Sequence, residues 1–422
     1  MRTTRIPATL WSSLRRSVAA MGRAQATNLR QGMSALLVAS AANLLAGITL
    51  GLATGTLDRL PGLIVLVPAA IAVRGNIFGA VASRLGTSVH TGEWSGEWER
   101  RPRLDSVVGQ NVTASAVLTL YVSIGVALLA REVSRLLGLQ TISLLDFLVI
   151  SVVGGVLASV VVLAITLAVA VLSVRRGWDM DNVAAPVVTS TADLVTVPTL
   201  LLATFLLPLP VLPEAIAVVT LVAAGLAVLH DARHRRLRTH IRIVRQSLPI
   251  LLLAGLVDVM AGITIHRRMD SFLVVPALLV LIPPLLADAG ALGGILSARL
   301  SSKLHLGSIE PAALPGRRSG EDIALTYLLA VPIFVVVGLG VALGSELGGL
   351  EHPGLLKMVA VALLAGTMAT SGAVFVAYYT AVLSYRFGLD PDSYGIPAVT
   401  ASMDLIGVLA LVISLVILGV VA

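Results

Sequence analysis

The chain has 422 residues, 57% hydrophobic and 13% charged, with a mean hydropathy of +0.95, which excludes an ordinary water-soluble globular domain. The formal net charge of +7 comes almost entirely from arginine. Without basic clusters interleaved with aromatics it points to cytoplasmic loops and anionic lipid, and not to nucleic acid. There is no cysteine, so disulfides, thiolate metal sites and cysteine nucleophiles are excluded.

Residues 1–33 scatter Arg2, Arg5, Arg15, Arg16, Arg23 and Arg30 among small and apolar residues, unlike the unbroken apolar core of a signal peptide. They are expected to form a basic cytoplasmic arm, either an amphipathic helix on the membrane surface or a solvated segment. Apolar runs of about 20 residues or more, enough to cross a bilayer, follow at 34–56, 61–82, 106–130, 142–173, 183–207, 211–230, 246–265, 271–297, 322–344, 354–384 and 394–421. With the N-terminus inside, the arm and inner loops hold 23 of the 30 Lys and Arg residues and the outer loops hold 6. Positive charge favours the cytoplasmic face, so eleven spans with an extracytoplasmic C-terminus are expected in the cell membrane.

The chain repeats itself. Gly177-Trp-Asp179-Met-Asp181 leads through Pro186 and Thr189 to Asp193, and Gly388-Leu-Asp390-Pro-Asp392 leads through Pro397 and Thr400 to Asp404, in the same frame 211 residues on. Ala46-Gly47-Ile48-Thr49 returns as Ala261-Gly262-Ile263-Thr264, and Pro68, Gly75, Gly79, Arg84 and Leu85 return as Pro283, Gly290, Gly294, Arg299 and Leu300, at an offset of 215. The expected architecture is all-α: a five-helix repeat over 34–207 and a second over 246–422, with a linker helix and basic loop over 208–245. Five spans per half would invert the second half; the extra apolar run at 211–230 restores a parallel arrangement, with a pseudo-two-fold axis along the membrane normal.

An ionised Asp in the middle of a membrane helix costs roughly 2.5 to 3.5 kcal/mol on insertion scales. Asp193 and Asp404 incur that cost at matching positions, two turns past Pro186 and Pro397, too deep to be helix caps. A buried carboxylate satisfied by arginine, backbone or water would explain one such residue. Two facing a common axis must retain a proton or share a cation, and oxygen-only ligands suit a hard divalent ion such as Mg²⁺, which keeps several waters. Thr189 and Thr400, one turn earlier on the same face, are accessory oxygen donors or simply bonded back to the preceding turn. Asp179, Asp181, Asp390 and Asp392 at the helix openings are caps, a cation-attracting vestibule, or both.

In the second span, Arg74 and Asp288 fall at adjacent aligned positions and are expected to pair across the axis; Asn76 is a candidate pore-lining amide. Asn43 and Asp258 align in the first span of each half. His90 and His305 belong to a solvated loop, and Trp94 and Trp98 among Glu93, Glu97 and Glu99 read as interfacial aromatics. No phosphate loop, zincin helix or nucleophile elbow is present, so no enzymatic function is expected.

The run Asp179 to Pro186 continuing to Asp193, its second copy ending at Asp404, and Val67-Pro68 through Arg74-Gly75-Asn76 to Ala82-Ser83-Arg84-Leu85 resemble the MgtE and SLC41 family of magnesium transporters over nearly all the spans. The resemblance implies a five-helix unit fused in tandem, as in the SLC41 type, functional as a monomer, with hydrated Mg²⁺ on the axis at Asp193 and Asp404. It also implies that the cytoplasmic magnesium-sensing domains of bacterial members are absent. Two departures stand out: Ala185 and Ile396 precede the motif prolines where bacterial members tend to place Asn, and Asn76 faces Ala291 in the alignment. Three mechanisms stay open besides a channel. One is exchange coupled to Na⁺, for which Asp258 and Asp288, lacking acidic counterparts, are the natural places. The others are a proton-linked solute carrier and an intramembrane aspartyl enzyme.

Overall fold

The structure is a computed structural model that describes residues 23–96, 105–176, 180–233, 238–387 and 391–420. Among these residues it is built entirely from helices and their connections: α1 (Arg23–Leu52), α2 (Thr54–Arg59), α3 (Leu63–His90), α4 (Val107–Leu136), α5 (Leu144–Arg176), α6 (Met180–Thr204), α7 (Leu212–Arg233), α8 (Arg238–His266), α9 (Met269–Val274), α10 (Ala277–His305), α11 (Arg317–Leu347), α12 (Leu355–Arg386) and α13 (Pro391–Ile417).

Ten of these are long and apolar enough to cross a membrane. The eleventh expected span, 34–56, falls on α1, which ends at Leu52 where the chain bends at Ala53 into the short helix α2. The helices run past the apolar limits read from the sequence: α4 has 30 residues, about 45 Å at 1.5 Å per residue, against about 30 Å of hydrocarbon. Backbone hydrogen bonding continues into water, where the hydropathy signal stops.

The element contacts match from one half to the other. Within the first half α3 packs on α4, α5 and α6; within the second α10 packs on α11, α12 and α13. The first helix of each half crosses over, α1 lying on α10 and α11 and α8 on α3 and α4. Accordingly α3 and α10 are central, with 72% and 78% of their apolar stretches buried. In contrast α7 touches only α4 and α5 appreciably and is 11% buried over its apolar stretch, so its Val218, Val219, Leu221, Val222 and Leu226 face outward, as a lipid-exposed helix requires. Local ends repeat as well: α4 closes at Gly138 and α11 at Gly349, both with φ near +65° (69° and 64°), a conformation for which glycine carries no Cβ penalty.

The crossed packing depends on two glycines. A Cβ on Gly47 would overlap the carbonyl group of Val280 in α10, and one on Gly262 would overlap that of Val65 in α3. Pro284 lies four residues after Val280 and has no N–H to give its carbonyl, so that oxygen is turned to the bare Gly47 backbone. Small residues let membrane helices approach this closely. Gly47→Val and Gly262→Val are each expected to destabilise the protein by about 2 kcal/mol or more, as overpacking does, whereas Gly225→Val on α7, with nothing within 4 Å, should be neutral; thermal unfolding in detergent compares the three.

A carboxylate cluster at membrane depth

Helix α6 begins at Met180, inside the first acidic motif, and α13 at Pro391, inside the second, where proline suits a first helical turn. Asp179 and Asp390 lie outside the described residues, and Asp181 and Asp392 are placed in the backbone of those first turns alone. Further along, α6 is seated on α3 by Thr189, whose methyl group lies 3.7 Å and 3.8 Å from where a Cβ on Gly75 and Gly79 would stand. Thr400 bears on Gly290 of α10 in the same way, at 3.9 Å. These contacts set the depth and rotation of both helices, and one turn later Asp193 and Asp404 are half-buried, toward the middle of the bundle.

There four carboxylates are linked. Asp193 is within electrostatic reach of Asp404 and Asp288. Asp404 directly meets Asp258 of α8, which is fully buried and receives no hydrogen bond from a hydroxyl, amide or N–H group on either oxygen. Asp288 of α10 accepts a hydrogen bond from Ser40 Oγ of α1, at 2.6 Å, on Oδ2, and its Oδ1 has no partner. Asn43, one turn from Ser40, is 2% exposed with its Oδ1 also unpartnered. Asp258 and Asp288 belong with Asp404 to the second half, where α8 and α10 both pack on α13, and the Ser40 hydroxyl comes across from the first half on α1.

Arg74 does not pair with Asp288. Its guanidinium turns into the first half, with Nη2 donating to Ser123 Oγ of α4 at 2.8 Å and to the Ser151 carbonyl of α5 at 3.3 Å, and Nη1 to the Ala70 carbonyl at 3.2 Å. The reason is rotational: the aligned positions are adjacent, not identical, and one residue along a helix turns a side chain by about 100°. Asp288 therefore faces α1 while Arg74 faces α4 and α5. Asn76 is half-buried on α3. Among the described residues, no three His, Cys, Asp or Glu side chains come close enough together to hold a metal ion directly, so the four acids do not form a closed ligand shell.

Outside the cluster, His305 is tied to its own helix through Nδ1 and the Ser301 carbonyl, 3.0 Å, and packs edge-on against Tyr385; the side chain of His90 and residues 97–99 lie outside the described residues. Trp94 is not an interfacial aromatic: it is 7% exposed, in a segment that folds back until Gly96 meets Val174 of α5. Ser40 is the one member of the site that sequence reasoning missed. A lone serine in an apolar run carries no signal of its own, and only its place one turn before Asn43 would have drawn notice.

The sequence was compared with known proteins. The family model described as "MgtE: Divalent cation transporter" matches residues 67–203 and again 282–414. Among curated relatives, solute carrier family 41 member 2 of Xenopus laevis is 27% identical over 84% of this chain and 65% of its own length, and the Homo sapiens member 2 is 24% identical over 83% and 63%. Solute carrier family 41 member 3 of Rattus norvegicus is 25% identical over 85% and 81%. The chain thus spans just under two thirds of the member 2 proteins. Of solved structures, an inward-facing MATE family multidrug resistance transporter aligns over 93% of this chain and 97% of its own at 13% identity, with a TM-score of 0.36, too distant to bear on the fold. A match in two successive segments that together cover most of the chain places this polytopic membrane protein in the MgtE family of divalent cation transporters.

Proposed function

We propose that the chain carries divalent cations, Mg²⁺ foremost, across the cell membrane through a central site that takes Asp193 from the first half and Asp404 from the second. The observation that carries this reading is the electrostatic proximity of those two carboxylates, each at the same position of a segment the family model matches. Four acids at membrane depth without a basic side chain in contact call for cations or protons to balance them. An open arrangement suits Mg²⁺, which retains waters and touches few carboxylates. Thr189 and Thr400 set the two helices, and Asn76 borders the path.

The rest of the reading concerns assembly. The halves 34–207 and 246–422 act as a pseudo-dimer about an axis along the membrane normal, joined by α7 and its basic loop, with the N-terminus inside and the C-terminus outside. The matched contacts of α1 on α10 and α8 on α3 support it. One chain then supplies both aspartates and works as a monomer.

A second reading, exchange of Mg²⁺ for Na⁺, is favoured by the asymmetry of the cluster: Asp258 aligns with Asn43 and Asp288 with Val73, so two of the four acids have no acidic counterpart. A second ion could load beside them without occupying the axis. A proton-linked carrier would use the same acids without metal selectivity.

Mg²⁺ flux into liposomes containing the purified chain is expected to be lost in Asp193→Asn combined with Asp404→Asn; flux that persists in that variant, or no Mg²⁺ flux in the original, rejects the central site. If Na⁺ is coupled, an opposing Na⁺ gradient accelerates uptake and Asp258→Asn or Asp288→Asn removes the acceleration; an unchanged gradient response in both variants leaves a channel. Because the chain has no cysteine, single cysteines at two exposed loop positions report topology: Glu93→Cys should be protected from an impermeant maleimide in intact cells and Gln140→Cys labelled, and the reverse pattern would invert the orientation.

A further inference from the structure

Among the described residues Arg74 is the only Lys or Arg that is fully buried, and its surroundings are built for it. Besides Ser123 and Ser151, which are themselves joined by Ser151 Oγ donating to the Ser123 carbonyl at 2.8 Å, it requires Gly155 of α5, where a Cβ would overlap Nη2. At an offset of 211, Ser123, Ser151 and Gly155 correspond to Phe334, Ala362 and Gly366, and at 215 Arg74 corresponds to Ala289. In the second half a Cβ on Gly366 would overlap the ring of Phe334, which is fully buried. One pocket against a glycine of the fourth span of each half is therefore filled twice, by a guanidinium from α3 and by a phenyl ring from α11.

The second half shows that this fold can fill the pocket without a charge. The first half nevertheless holds an arginine, which stays protonated in proteins, at a depth where a charge is costly. Its partners are a hydroxyl and two carbonyls. They bond the two terminal nitrogens and leave Nε without a partner, and none of them cancels the charge as a carboxylate would. The net positive field is left at the depth of the cluster, since the next residue, Gly75, bears on Thr189 one turn from Asp193.

We propose that Arg74 is an affinity-setting residue: its uncancelled charge, one span away from the four carboxylates, weakens their hold on a divalent cation enough for the ion to leave. A conducting site must bind weakly enough to release, and four carboxylates in a low-dielectric core would otherwise retain a divalent ion tightly. This rests on the reading that the aspartates take up the cation, and the test separates the two.

The test is Mg²⁺ binding to the purified full-length chain by calorimetry. One variant is Arg74→Ala with Ser123→Phe and Ser151→Ala, which installs the second half's own filling; Arg74→Gln also removes the charge, and Arg74→Lys keeps it. Both charge-removing variants are expected to tighten Mg²⁺ binding by about fivefold or more, on the scale of a unit charge acting across one helix, with Arg74→Lys within about twofold of the original. Should the triple variant fail to fold, Arg74→Gln against Arg74→Lys decides alone. Unchanged or weaker binding without the charge, or Arg74→Lys behaving as Arg74→Gln does, overturns the proposal. Binding that survives Asp193→Asn with Asp404→Asn would instead reject the aspartate site, whatever Arg74 does.

Discussion

The crossed contact of each half's first helix with the other half's second helix is the constraint from which the arrangement of the site follows. Gly47 on the Val280 carbonyl and Gly262 on the Val65 carbonyl bring backbones together at a distance no side chain would permit. Because α1 changes sides, Ser40 reaches Asp288 across the halves, while Asp258 meets Asp404 within the second half, where α8 also packs on α13. Had α1 stayed with its own half's second helix, Ser40 and Asp288 would lie in separate bundles. The hydrophobic effect gives little help here, since lipid is as apolar as the leucines and valines of the helices; close packing and the few polar contacts must hold the halves together.

Much of this was legible in the sequence. The all-helical membrane fold, with ten of the eleven expected spans, follows from hydropathy runs, and the family from motifs recurring in a fixed frame, both of which survive without knowledge of contacts. What was not legible depends on rotation and on partners distant in the chain. Arg74 and Asp288 differ by one aligned position, and that one position decides whether they face each other. Trp94 has the composition of an interfacial residue, yet a left-handed turn at Gly96 (φ 75°) carries its segment back onto α5. Ser40 is indistinguishable from any other small residue of a membrane helix until the crossing of α1 supplies its carboxylate. Short helices α2 and α9 were hidden for a similar reason, since they are bends between spans and too brief for any period to show.

Duplication gives the protein a choice at every position that a dimer of identical chains lacks, and the two halves differ in a consistent direction. The parts that determine how helices meet are kept in both: the glycines at 47 and 262, the threonines at 189 and 400, the glycines at 155 and 366. The parts that carry charge are divided. The second half holds Asp258, Asp288 and Asp404 and fills its fourth-span pocket with Phe334; the first holds Asp193 alone and fills the same pocket with Arg74. Matched helix contacts thus carry an unmatched set of charges, with three of the four clustered acids in the second half and Arg74 in the first. A dimer of identical chains would carry every charge twice, at matching positions; here each half carries a different set.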